Sequence, residues 1–336
     1  MRFGFNRTCL EHDPGPRHPE SPDRLRAIKQ LLDRKHEASI HTPDPTSRES
    51  ITRVHDEDYV DSMQSFIADG GGAWDPDTVV IEETWEAALA GAGLAVWAAA
   101  NASGVESRRA TPFALPRPPG HHAVVDDAMG FCIFNNVAVA AELALDLEDI
   151  ETVGIIDWDV HHGNGTQDIF YERGDVQFAS IHQQGLYPGS GEIDETGAGL
   201  GDGATLNVPL APGATDAGYV RVFGKVIAPW IRRANPELVL VSAGFDAHER
   251  DPISRMAMST EGYGMLTERL LRLADGLEAA VAFVLEGGYG LEILTDSIGM
   301  VDDVCTGYQP MDPDGSPRQQ DIAQIKAARD AHGIGS

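Results

Sequence analysis

The sequence predicts a single-domain α/β protein of three layers, with helices on both faces of a mainly parallel sheet. Three observations carry this. Strand-like apolar runs alternate with helical stretches along the chain. Runs such as Val153 to Ile156 (VGII) and Leu238 to Val241 (LVLV) are apolar throughout, which implies burial on both faces. The Gly- and Pro-rich segments follow strands or precede helices, where open α/β sheets build their sites, and no stretch reads as an interdomain linker.

In chain order, Phe3–Asn6 is the first strand-like run. Helical patterns follow over Ser21–Arg34, Asp56–Ala68 and Glu83–Asn101. The last contains the longest apolar stretch, Ala87 to Ala100. It is about 14 residues of mainly Ala and Gly, too short and too weakly apolar to span a bilayer, so it reads as a buried helix. Phe113–Pro116 is a strand and Asn135–Leu147 a helix. Three strands come next: Val153–Asp159, Val176–His182 and Thr205–Val208. Then helix and strand alternate: Ala217–Ala234, Leu238–Phe245, Glu261–Gly276, Val281–Glu286 and Leu291–Gly299. Long loops are expected at Gly70–Asp77, Pro116–Gly120, Gly185–Gly203 and Glu249–Ile253. Residues 1–308 are expected to form the domain and 309–336 a polar C-terminal tail with one short helix.

The chain has 336 residues, 42% of them hydrophobic, enough for a buried core and against disorder. It carries 25 Lys+Arg against 53 Asp+Glu, a formal net charge of −28. That charge argues against direct nucleic-acid binding, which needs a basic face. It argues equally against docking on an anionic membrane. Lys29, Lys35, Lys225 and Lys326 are the only lysines; arginine supplies the other bases. Few lysines, many acids and 36 glycines suggest a halophilic prokaryotic protein working in concentrated salt. There the Debye length falls to about 3 Å and self-repulsion is screened. Cys9, Cys132 and Cys305 are scattered, with no C-x-x-C, which excludes a disulfide framework and a cysteine zinc site. The opening MRFGFNRTCLEHD has no apolar signal region, so a cytoplasmic location is expected.

The chemistry concentrates in Asp157-Trp158-Asp159-Val160-His161-His162-Gly163-Asn164-Gly165. Residues two apart in a strand share a face, so Asp157, Asp159 and His161 are expected to project together from the carboxyl end of a buried strand. Two carboxylates and an imidazole there call for a cation. Oxygen and nitrogen ligands fit Zn²⁺, and also Fe²⁺ or Mn²⁺. A second buried strand ends in Asp246. Asp159, His161 and Asp246 make three ligands with one position open, which is catalytic stoichiometry. His248 is left out as a loop residue. In Arg117-Pro118-Pro119-Gly120-His121-His122, stiff prolines present two adjacent histidines. A neutral histidine there can take a proton from water and return it to a leaving amine. In Leu285-Glu286-Gly287-Gly288-Tyr289, a tyrosine follows a glycine pair and can donate to a developing oxyanion. No G-x-S-x-G elbow or reactive-cysteine setting points to a covalent intermediate.

Taken together, RPPGHHA, GFCIFNN, DWDVHHGNGTQ, SIHQ, YPGSG, SAGFDAH and LEGGY resemble the histone deacetylase superfamily, from His18-Pro19-Glu20 to Gly288-Tyr289. Trp158 and Asn164 look like its class II branch. The resemblance implies the arginase/deacetylase fold and a zinc-dependent deacetylase of acetyl-lysine side chains. It implies zinc ligands Asp159, His161 and Asp246. His121 and His122 would be the tandem catalytic histidines, the second the usual general base and acid, the first an electrostatic helper. Tyr289 would polarise the acetyl carbonyl. Phe131 and Tyr187 would wall the substrate tunnel, Tyr187 replacing the usual Phe. The Gly130 carbonyl would accept from the substrate amide, and Ile253 would sit at the rim. Asp157 would contact His121 and help hold a structural K⁺ with Asp159, His161, Ser180 and Ile181. Asn164 stands where class I has a carboxylate partner for the second histidine, which leaves the acid/base division between the histidines open. The partner expected is an acetylated protein or peptide, with an oligomer allowed. The rivals are a deacetylase of acetyl-polyamines or other small amines, and a silent acetyl-lysine reader.

Overall fold

The structure, a computed structural model, describes residues 1–35, 38–102, 110–313 and 315–335. Its strands are β1 (Arg2–Gly4), β2 (Ser39–His41), β3 (Gly72–Ala73), β4 (Val79–Val80), β5 (Pro112–Ala114), β6 (Val153–Asp157), β7 (Val176–Gln183), β8 (Thr205–Leu210), β9 (Leu238–Ala243) and β10 (Ala280–Leu285). Its α-helices are α1 (Pro22–Arg34), α2 (Arg48–Ile51), α3 (Glu57–Ala68), α4 (Thr84–Ala100), α5 (Asn136–Ala144), α6 (Asn164–Phe170), α7 (Asp216–Val222), α8 (Ala228–Ala234), α9 (Thr260–Leu277), α10 (Leu291–Cys305) and α11 (Gln319–Ala331). Eight strands make one sheet in the order β2-β1-β5-β10-β9-β6-β7-β8. Every neighbouring pair in it is parallel. β3 and β4 form a separate antiparallel hairpin.

β6, β8 and β9 are buried at every residue, and in β6 and β9 the runs Val153–Ile156 and Leu238–Val241 are apolar throughout. With no polar face to show to water, they must be covered on both sides. α4 and α5 pack on each other and reach β5, β10 and β9, while α1, α10, α9 and α7 pack in series. α4 is the Ala/Gly-rich stretch, and most of it is buried.

Differences from the sequence reading have local causes. β2 is three half-exposed or exposed residues at the sheet edge, too short to leave an apolar run. The helix expected over Ala217–Ala234 contains a π-helical turn at Phe223–Ile227 before α8. Pro229, in the first turn of α8, has no N–H for the carbonyl four residues back. α10 runs on to Cys305 because Val301, Val304 and Cys305 continue its buried face. In the stretch 309–336, residues 314 and 336 lie outside the described residues. α11 within it packs along β8, and Arg318 donates to the Ala211 and Pro212 carbonyls at 2.7 Å each. No helix among the described residues is long and apolar enough to cross a membrane.

The sheet order positions the site. From β6 the chain runs outward through β7 and β8, then returns to place β9 and β10 between β6 and β5. The reversal opens a crevice at the carboxyl ends of β5, β6, β9 and β10.

Candidate active site

β6 ends at Asp157, so Asp159 and His161 are not strand residues as the two-residue period implied. They lie in a turn stitched by side chains. The Asp159 N–H donates to Asp157 Oδ1 at 3.0 Å, and the His161 N–H donates to Asp159 Oδ1 at 2.9 Å. The turn parts what a strand would have kept together. Asp157 faces His121, with Oδ2 at 3.0 Å from Nδ1. Asp159 and His161 face Asp246, delivered by the turn after β9 and held by the Val160 N–H on its Oδ1 at 2.9 Å.

Asp159, His161 and Asp246 are buried, and one ligand atom from each lies within 4.8 Å of the others. His161 Nδ1 is 3.0 Å from Asp159 Oδ1 and 3.2 Å from Asp246 Oδ2. One ring nitrogen cannot serve two carboxylates well, and Asp246 Oδ2 is buried with no hydrogen-bond partner. Burial, then the charge of Asp159, pushes Asp246 up to about 7. Burial would lower His161, yet the two facing carboxylates carry it up to about 10. A divalent cation would relieve each of these. Gly287 makes room: a Cβ there would stand 2.1 Å from Asp246 Oδ2. Its N–H instead donates to Asp159 Oδ2 at 2.8 Å. The donor set fits Zn²⁺, Fe²⁺ or Mn²⁺. His248 stays in its loop, with Nε2 3.2 Å from Thr260 Oγ1.

His121 and His122 stand side by side, ring centroids 4.0 Å apart, yet their partners differ. His121 has the Asp157 carboxylate. His122 Nδ1 has Asn164 Oδ1 at 2.7 Å. The Asn164 amide is oriented by its Nδ2, which donates to the His122 carbonyl at 3.3 Å. Burial opposes charge on His121, but Asp157 and Asp159 carry it up to about 10. Burial, then the charges of His121 and His161, hold His122 well below the usual histidine range. His122 is therefore neutral, with Nδ1–H donated to Asn164 and a lone pair left on Nε2.

Gly130 and Phe131 bring the aromatic wall over this centre. Phe131 takes φ 69°, a strained value for a bulky residue, and its N–H donates to Thr78 Oγ1 at 3.2 Å. The Tyr187 ring stands at 88° to His122 with centroids 5.1 Å apart. The Phe131 ring stands at 81° to Tyr289 at 6.0 Å. Tyr187 thus packs on His122, and Phe131 packs on Tyr289. Ile253 is half-buried in the loop after β9, its N–H on Asp251 Oδ1 at 3.0 Å. Ser180 lies opposite Asp157 in the β6–β7 register, with buried Ile181 next to it.

Sequence reasoning missed the supports. Glu286 ends β10's apolar run and is fully buried; its Oε2 accepts from the Gly120 N–H at 2.8 Å and the His121 N–H at 3.3 Å. A single acid closing an apolar strand was the available signal. Glu20 pairs with Arg117 (2.5 and 2.7 Å) and with Arg24 (3.1 Å), all fully buried. Nothing in the local pattern of Thr78 marked it.

The histone deacetylase domain profile matches residues 18–305. The chain is 38% identical over 297 residues to a probable deacetylase of Archaeoglobus fulgidus, covering 86% of this chain and 81% of that one. It is 36% identical over 309 residues to the histone deacetylase-like amidohydrolase of Pseudomonas aeruginosa, covering 85% and 81%. The crystal structure of the HDA15 HD domain superposes with a TM-score of 0.88 at 33% identity, covering 99% of this chain and 96% of that one.

Proposed function

This chain belongs to the histone deacetylase family, and from that premise we propose that it is a metal-dependent amidohydrolase removing acetyl groups from lysine side chains of proteins or peptides. The observation that carries the reading is the buried Asp159–His161–Asp246 cluster beside two histidines with unlike partners.

Zn²⁺ is the ion proposed for Asp159, His161 and Asp246, with Fe²⁺ or Mn²⁺ as substitutes, and it would supply Lewis acidity and a nucleophilic water. The protein's own groups do the rest. His122 takes the water's proton at Nε2. Tyr289 gives a hydrogen bond to the oxygen that becomes negative. His122 then returns the proton to the departing lysine amine, and no covalent intermediate forms. His121, charged against Asp157, holds positive charge beside the reacting centre. The unlike partners support the acid/base role for His122. Asp157, Ser180, the Ile181 carbonyl and the carbonyls of Asp159 and His161 are proposed as a structural K⁺ site, supported by the Asp157–Ser180 register.

Trp158 and Asn164 support a class II-like assignment. The charge of −28 and the four lysines support a halophilic prokaryotic source and a cytoplasm rich in salt. Between protein and polyamine substrates, Ile253 favours the former. An apolar rim suits the methylene stem of acetyl-lysine, worth about 0.8 kcal/mol per buried CH₂, and offers no carboxylate to a distal ammonium. The test is kcat/KM for an acetyl-lysine peptide against acetyl-spermidine and acetyl-putrescine in the same salt. The peptide should win, and Ile253→Glu should move the ratio toward the polyamines. A wild-type preference for acetyl-polyamines would overturn the substrate assignment.

A further inference from the structure

The Gly288–Tyr289 peptide unit is gripped at both ends by buried charged groups. Its carbonyl oxygen accepts from Arg24 Nε at 2.7 Å. Its N–H donates to Asp251 Oδ2 at 2.8 Å. The same Asp251 oxygen takes the Gly290 N–H at 3.3 Å, and the other takes the Ile253 N–H at 3.0 Å. Asp251 is 7% exposed, so three backbone donors from two loops converge on a carboxylate largely shut off from water. Arg24 also lies over the Tyr289 ring, 5.0 Å from its centroid.

This grip meets a need of the chain. Gly288 sits at φ +116°, a conformation open to glycine, directly before Tyr289. A glycine pair ahead of the tyrosine would let the peptide plane rotate and swing the hydroxyl off the acetyl oxygen. Arg24 alone fixes the carbonyl end and leaves that rotation free. Asp251 fixes the N–H end. It also sits at the start of α10, where a negative charge is favoured by the helix dipole. Through the Ile253 N–H it ties the same peptide to the loop after β9, where the substrate rim is proposed.

We propose that Asp251 is a positioning residue for the hydrolysis, acting through Tyr289 by clamping the Gly288–Tyr289 peptide plane and coupling it to the rim at Ile253. The proposal rests on the deacetylase reading given above. In Asp251→Ala the metal ligands and both histidines keep their own supports, while Tyr289 loses its fixed backbone.

The experiment is a double-variant cycle on an acetyl-lysine peptide: wild type, Asp251→Ala, Tyr289→Phe and both together, with Asp251→Asn alongside. Metal content and thermal melting are recorded for each. A displacement on the order of 1 Å costs about 10²-fold, so Asp251→Ala should lose about that much in kcat with KM within about threefold. Asp251→Asn keeps one oxygen for Tyr289 and should recover most of the loss. In the Tyr289→Phe background, Asp251→Ala should cost less than about threefold, because the hydroxyl it positions is already gone. Equal losses in both backgrounds would overturn the proposal. Where Asp251→Ala fails to fold, Asp251→Ser, whose shorter side chain gives up the carboxylate contact to the Tyr289 N–H, is read in both backgrounds and makes the same cycle. Wild-type turnover tests the deacetylase reading by itself. A crystal structure of Asp251→Ala, or of Asp251→Ser where the alanine variant does not fold, tests the clamp without activity. Tyr289 displaced from Phe131 supports it, and Tyr289 unmoved in the variant solved refutes it.

Discussion

Replacing Glu20 by glutamine removes the carboxylate that faces both Arg24 and Arg117 in the buried layer beneath the site. All three side chains are fully buried, with Glu20 to Arg117 at 2.5 Å and to Arg24 at 3.1 Å. Burial alone would push the Glu20 carboxyl up, yet the two guanidiniums bring it from an ordinary 4.5 down to about 2. At about 1.36 kcal/mol per pH unit, that depression is worth about 3 kcal/mol. Breaking a buried pair from one side costs about 3–5 kcal/mol, which agrees. At about 2–4 °C per kcal/mol, and toward the low end for a chain this long, Glu20→Gln should lower Tm by roughly 6–10 °C at pH 7. The sign with pH follows from the depressed value. The stability is present above the unfolded value and is lost as pH falls through about 2. Roughly half should be gone at pH 3. The assay is calorimetric melting of both proteins at pH 7, 4.5 and 3. A gap under about 2 °C at pH 7, or one that does not narrow toward pH 3, would refute the buried-triad account.

Other outcomes follow from the same geometry. Asp159→Ala, His161→Ala and Asp246→Ala should each abolish tight metal binding, whereas His248→Ala should not; a metal-replete Asp246→Ala protein would show the ligand set to be wrong. Tyr289→Phe should keep fold and metal yet lose about 10²- to 10³-fold in kcat, and near-normal turnover would remove it from the oxyanion role. With a charge of −28, Tm should climb from dilute buffer into molar salt, and a flat or falling Tm would count against the halophilic reading.

The fold was legible because its inner strands are apolar on both faces and its helices lie between them. β2 was not, since three exposed or half-exposed edge residues carry no pattern. The cluster of Asp159, His161 and Asp246 was legible by residue type but not by geometry. Reading Asp157, Asp159 and His161 as one strand face put Asp157 with two groups from which a turn parts it, and that turn is made by side chains bonding backbone N–H groups. Such local bonds depend on three-dimensional closure, which period-two alternation does not encode. The supports were the least legible. Glu20, Arg24 and Arg117 are charged residues that sequence logic sends to the surface, and only their mutual pairing lets them be buried. Asp251 and Glu286 act on backbone donors more than 35 residues away in the chain, and no local pattern records that reach.

The central claim is that Asp159, His161 and Asp246 hold a metal ion that the deacetylation requires. The most direct measurement is acetate release from an acetyl-lysine peptide in molar salt, by one preparation assayed as purified, after chelation, and after Zn²⁺ is restored. The account predicts turnover that falls to background on chelation and returns with about one Zn²⁺ per chain, as a three-ligand site with an open position requires. Turnover that survives complete removal of metal would contradict it.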